Sequence, residues 1–180
     1  MITPNLTPQQ VDQISGLLAQ YIATERERFA SRAIPLSDEL KIAFAGFFST
    51  ALLENSGILI LTDERVANPQ FYPMLENLGF NNLPQMPEMS AITFVDTVVA
   101  HGQLTGETLF HELVHVEQYR QLGITKFSAL YVRGFLSGGG YYGIPLEVNA
   151  YTLARRYEAD HAHVFSVADD VAARIAADSF

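Results

Sequence analysis

His111-Glu112-Leu113-Val114-His115, set inside Thr105–Gln121, is the stretch from which the rest of this chain can be organised. It reads as a helix: Thr105-Gly106-Glu107 caps its start and Gly123 stops it. Positions i and i+4 share a helix face, so the two imidazoles stand about one turn apart and can bind one metal ion. Glu112 lies about 100° round the helix from His111, within reach of a metal-bound water without itself being a ligand. Leu109, Phe110, Leu113, Val114 and Val116 surround the pair with uncharged side chains, as a buried metal-binding helix requires. Glu117 departs from that pattern, and its place two residues beyond His115 turns it towards water. Gln118 is either a hydrogen-bond partner for one of the histidines or an exposed polar residue.

A catalytic zinc generally keeps three protein ligands and one open position, so a third ligand is needed. The chain has no cysteine, which leaves only His, Asp and Glu. The remaining histidines are His101 upstream and His161 and His163 downstream. Glu147 is preferred. It follows Pro145 in the first turn of the next helix, where the positive helix end favours an ionised carboxylate. Ala150 and Ala154 share its approximate face and let that helix approach the His-Glu helix closely. The alternative for Glu147 is an exposed first-turn glutamate. His161 and His163, with Asp160, make either a second, accidental metal site or a solvated surface.

Working outward, Thr7-Pro8-Gln9-Gln10 starts a first helix with the stripe Val11, Ile14, Leu17, Leu18, Tyr21 and Ile22, followed by a solvated charged turn, Glu25–Arg28. Ser37 caps a second helix whose body, Leu40–Leu53, is apolar almost all round and ends before Gly57. Ile58–Thr62 is a short buried strand, Asn68-Pro69 opens a short helix that ends at Gly79, and Asn81–Pro87 is a loop. Ile92–Val99, rich in β-branched residues, is the strongest strand. Ile124–Leu136 forms a further helix broken by Ser137-Gly138-Gly139-Gly140. A helix from Pro145 to about Tyr157 and one from Ser166 through Ala177 complete the chain. The expectation is one mostly helical α+β domain over 1–180, with N-terminal helices (1–57) preceding a metal-site core (58–180).

The apolar fraction of 48% and a length of 180 residues suit a globular domain with a real core. A formal charge of −9 argues against nucleic acid or an anionic membrane as the main partner. Met1–Gln10 is polar and lacks a targeting pattern, and no apolar run approaches the roughly 18–20 residues of a membrane span. A cytoplasmic protein without a membrane span is therefore expected, and its oligomeric state is not legible.

His111-Glu112-Leu113-Val114-His115 followed by a helix opening Pro145-Leu146-Glu147-Val148-Asn149-Ala150-Tyr151 resembles the gluzincin class of zinc metallopeptidases. Within it the chain looks closest to small bacterial peptidase domains of unassigned function, over roughly Ile92–Tyr157. The resemblance implies a zincin-like fold in which the strand Ile92–Val99 precedes the His-Glu helix and borders the cleft as an edge that binds an extended peptide. It implies Zn2+ held by His111, His115 and Glu147, with Glu112 as general base. Thermolysin-like gluzincins carry an Asp four residues after the ligand Glu to orient a zinc histidine. This chain has Tyr151 there, so the support of its ligands is built otherwise.

The leading expectation is a zinc-dependent peptidase: the metal acidifies water, Glu112 takes its proton, and a further donor steadies the oxyanion. Tyr142, beside the Gly138–Gly140 turn, is the first choice for that donor, with Tyr141 and His101 as the others. The triple glycine is either a mobile lid or a helix-ending turn. The alternative is a zincin-like binding or scaffold protein that holds metal with little turnover, for which a fourth ligand from His101 or His161 would count. A third possibility is an interaction domain without metal, its histidines satisfied by protein partners.

Overall fold

Thr7 caps the first helix, α1 (Pro8–Ala30), through a complete capping box with Gln10. The computed structural model describes residues 6–180, with the backbone alone at 138–139; Met1–Asn5, part of the stretch read for a targeting pattern, lie outside the described residues. The charged turn Glu25–Arg28 is not simply solvated. Glu25 is buried and pairs with Arg28, which also reaches Glu64 at 2.8 Å. Arg26 grips Asp96 with two bonds of 3.0 and 2.7 Å, tying α1 to a turn of the sheet.

The apolar run Leu40–Leu53 is two helices rather than one. α2 (Asp38–Phe44) and α3 (Thr50–Asn55) each have their own serine cap, Ser37 and Ser49. The chain breaks between them at Gly46, whose φ of 87° no helix can hold. The break turns Phe44, Phe47 and Phe48 together onto Phe110 of the His-Glu helix.

Four short strands form one sheet in the order β1-β2-β4-β3: β1 (Ile34–Pro35), β2 (Gly57–Ile60), β3 (Ala91–Phe94) and β4 (Thr97–Ala100). β2 and β4 are parallel and the other pairs antiparallel. α4 (Tyr72–Asn77) and a single 3-10 turn, Met86–Glu88, lie in the crossover between β2 and β3. The expected strand Ile92–Val99 is in fact a tight hairpin that doubles back at Val95-Asp96, with Val95 at φ 63°. β-Branched residues rarely take that conformation, so the run gave no turn signal. The strand that directly precedes the His-Glu helix, β4, is therefore internal, and the edge falls to β3. β4 is buried along its whole length, with Val98 and Ala100 in one apolar cluster and Val99 in the other. Helices thus cover both faces of the sheet.

The long helix α5 (Gly106–Gly134) kinks at Gly123, whose φ of 71° separates the His-Glu half from the half beginning at Ile124, as the glycine predicts. Leu109 through Tyr119 are all buried. α6 (Pro145–Ala159) packs along α5 with Ala150 and Ala154 buried, and α7 (Val167–Ala176) closes the chain against α5. The result is a mixed α+β fold, mostly helical, around one small sheet. No helix among the described residues is long and apolar enough to cross a membrane.

One close approach fixes where α6 begins. A Cβ on Gly134 would sit 2.6 Å from Pro145 Cδ and 3.2 Å from Ile144 Cγ2, so only glycine lets the end of α5 meet the start of α6. Gly134→Ala should destabilise the protein by about 1–3 kcal/mol and shift Glu147 with the helix start. Equilibrium urea unfolding checks this, and an unchanged midpoint would contradict it.

Candidate metal centre

α5 and α6 bring three donor atoms to one buried point. Nε2 of His111 and Nε2 of His115 are 3.1 Å apart, and each lies 3.4 Å from Oε2 of Glu147. All three residues are buried, and they form a group able to hold a metal ion. A tetrahedral ion with ligands at about 2.0–2.1 Å separates its donor atoms by roughly 3.3–3.4 Å, so the spacing fits one such ion. The i, i+4 histidines converge as the helix repeat demands. Glu147 comes over them because Gly134 lets α6 start close by, and because Pro145 occupies the first turn, where no N–H is needed.

Each donor is held from outside. Gln118 is fully buried, with Oε1 2.8 Å from His115 Nδ1. Tyr141 donates its hydroxyl hydrogen to Glu147 Oε2 at 3.0 Å. Burial first, then the Glu147 charge, holds the Tyr141 pKa far above the ordinary tyrosine value, so it stays a donor. Where an orienting Asp was the comparison, the Tyr151 ring lies 4.3 Å from that of His111, and His111 Nδ1 is buried with no hydrogen-bond partner among the described residues.

Glu112 is buried but is not one of the converging donors. Thr93, on the edge strand β3, donates to Glu112 Oε2 at 2.7 Å. Glu112, His111 and Tyr141 together line two spaces. One is an inner cavity of about 70 Å³ walled by Leu18, Ile22, Phe127 and Tyr131; the other is an outer cleft of about 550 Å³ bordered by Glu88, Glu107, Tyr142 and Tyr151. The three donors thus line the apolar recess, and His111 with Glu112 also borders the larger cleft.

Other expected residues fall elsewhere. Tyr142 borders the cleft but is 77% exposed, so of this adjacent pair it is Tyr141 that hydrogen-bonds the cluster. His101 is committed to backbone: Nε2 accepts from Val66 N–H at 3.0 Å, which makes Nδ1 the donor to Met89 carbonyl at 2.6 Å. It offers neither a ligand nor an oxyanion donor. His161, exposed beside Glu158, and His163, also exposed, are not among the grouped donors. Glu117, expected to face water, is buried and held by two bonds from Arg120 and one from Gln121. Thr93 carried no sequence signal, because its role depends on β3 lying against α5.

Without an ion, the cluster holds a proton instead. Burial opposes charge on His115, yet the Glu147 and Glu112 carboxylates outweigh it and push the pKa up to about 9 from 6.5. Burial likewise works against ionised Glu147, but the two histidines hold its pKa well below the usual 4.5. A raised folded pKa stabilises fully below 6.5 and is lost as pH climbs through about 9; a depressed one stabilises above 4.5 and is lost as pH falls. The metal-free protein should therefore lose thermal stability between pH 6.5 and 9, and a divalent ion bound at neutral pH should release about one proton. Melting curves across pH, and calorimetry in buffers of different ionisation enthalpy, measure both. A metal-free midpoint that rises over that window would contradict the assignment.

No protein-family model, curated protein or solved structure matches this chain, so its chemistry is read from its own residues.

Proposed function

We propose that the protein is a zinc-dependent hydrolase that cleaves peptide bonds. The observation that carries this reading is the division of labour in the site. His111, His115 and Glu147 converge at ligand spacing, while Glu112, one residue along the helix from His111, lines the same apolar recess and is held aside by Thr93. A purely structural site has no use for that second carboxylate, and it usually has four protein ligands. Among the described residues the group has three, and His101 and His161, the candidates for a fourth, are placed elsewhere.

Zinc suits two imidazoles and one carboxylate in tetrahedral array, and when bound it supplies Lewis-acid chemistry, acidifying water and polarising a carbonyl oxygen. The chain's own residues do the rest. Glu112 accepts the proton of the attacking water and passes it to the departing amine nitrogen. Thr93 holds the Glu112 carboxylate in place for both transfers. Tyr141 donates its one hydroxyl hydrogen to Glu147 Oε2, and by exchanging that side-chain bond it is placed to steady the developing oxyanion.

Among the described residues β3 pairs with β4 alone, so its unpaired edge is where an extended substrate backbone would add, and Ala91 lines both spaces. The inner recess is about half the roughly 150 Å³ of a cavity that holds benzene, which suits an aliphatic side chain better than an aromatic one. The test is digestion of a denatured-protein peptide library by the zinc-loaded chain. Cleavage that a chelator abolishes and zinc restores is expected; no cleavage under any metal would favour a scaffold that binds metal without turnover.

A further inference from the structure

The side of His115 that faces away from the cluster is tied to α7 by an unbroken line of hydrogen bonds. His115 Nδ1 is 2.8 Å from Gln118 Oε1, Gln118 Nε2 donates to Asn149 Oδ1 at 3.0 Å, and Asn149 Nδ2 donates to Asp170 Oδ1 at 2.7 Å. Chemistry fixes each orientation. Gln118 Nε2 also reaches the Leu146 carbonyl at 3.0 Å, and a backbone carbonyl can only accept. Gln118 must then turn its oxygen to His115, so Nδ1 carries a hydrogen and Nε2 is left as the nitrogen for the metal. Asn149, having given its oxygen to Gln118, has only its amino group for Asp170. Every bond runs the same way, from imidazole to carboxylate.

We propose that Asp170 is the positioning carboxylate of the metal centre and acts on His115 through the Gln118 and Asn149 amides. Metal-binding histidines commonly donate their second N–H to a carboxylate, which fixes the ring and raises the basicity of the ligating nitrogen. Here two carboxamides carry that influence across from α7, each bond strengthening the next. Gln118 and Asn149 are fully buried, where such polarisation is not screened by water. On α6, the position four residues past Glu147 holds Tyr151, whose ring packs on His111 and offers no carboxylate. Asp170 also accepts from Arg174 Nε at 3.0 Å, and its side chain is 33% exposed, so part of its charge is neutralised and its effect is moderate. This role rests on the metal reading of the cluster, and α7 becomes part of the site rather than a mere closing helix.

The test uses the full chain with Asp170→Ala, Asp170→Asn and, as a control on the same helix, Asp169→Ala. Zinc affinity is read by competition with a chromophoric chelator, and the His115 Nδ1–H resonance is read by NMR in metal-free protein. Asp170→Ala should weaken zinc binding several-fold, short of the about 10- to 100-fold lost with a partner bonded directly to a ligating imidazole. Asp170→Asn, which keeps an acceptor oxygen without the charge, should weaken it in the same direction by less, and in both the resonance should move upfield. Asp169→Ala should change neither. Asp170→Asn keeps the contact between helices and carries the test even where Asp170→Ala fails to fold. Wild-type affinity and an unmoved resonance in Asp170→Asn would overturn the proposal alone. Failure of the wild type to bind zinc would overturn the metal reading and this proposal with it.

Discussion

Glu112→Gln should keep its zinc and its fold and lose cleavage by a factor of about 10²–10⁴, the usual contribution of a positioned acid–base group. The replacement is isosteric, and its carbonyl oxygen still accepts the Thr93 hydroxyl that now bonds Glu112 Oε2. The three converging donors are untouched, because Glu112 is not among them. What disappears is the ability to accept a proton and give it back. Turnover of a cleavable peptide, together with zinc content and melting temperature, separates this from collapse of the site. Activity within tenfold of the wild type would remove Glu112 as general base, and loss of zinc would make it a ligand instead. Thr93→Val, which leaves Glu112 in place but unsteadied, should lie between the two.

Glu147→Ala should have the larger effect on the metal itself. Four-ligand zinc sites bind with about 10–16 kcal/mol, or about 2.5–4 kcal/mol per ligand, so removing the one carboxylate among the three donors should weaken binding on the order of 10²–10³-fold. The loss should be visible without zinc as well. Glu147 is the chief partner that raises the His115 pKa, and it is the acceptor for Tyr141. In its absence burial should dominate and His115 should titrate well below about 9, moving the pH window in which the metal-free protein loses stability. His101→Ala is the matched control: it removes a histidine bonded to Val66 and Met89 backbone and should leave zinc affinity unchanged. Full zinc affinity in Glu147→Ala would mean that the third ligand lies elsewhere.

Much of the site follows from local rules. The helix repeat alone puts His111 and His115 on one face, and proline at the first turn of α6 marks where Glu147 sits. Helix starts at Thr7, Ser37, Thr105 and Ser166 were legible because caps are local chemistry, as was the kink at Gly123. The failures share a cause in tertiary packing. The turn at Val95-Asp96 has no glycine or asparagine to announce it; Arg26 reaches across from α1 to hold Asp96. Gly46 lay within an apolar run whose period suited a continuous helix, and only its φ reveals the break. Glu117 looked solvated because its partner Arg120 is visible only once the helix is placed in the core. Tyr141 and Tyr142 are adjacent and chemically identical, and the backbone after Gly140 decides which one turns inward. Asp170 lies on a separate helix, where spacing carries no information about His115.

The central claim is that His111, His115 and Glu147 hold one ion. X-ray absorption spectroscopy of the chain loaded with one equivalent of zinc tests it most directly. The account predicts a four-coordinate shell of nitrogen and oxygen at about 2.0–2.1 Å containing two imidazoles, reduced to one in His111→Ala and in His115→Ala. A shell that keeps two imidazoles in those variants, or that has none in the wild type, would contradict it.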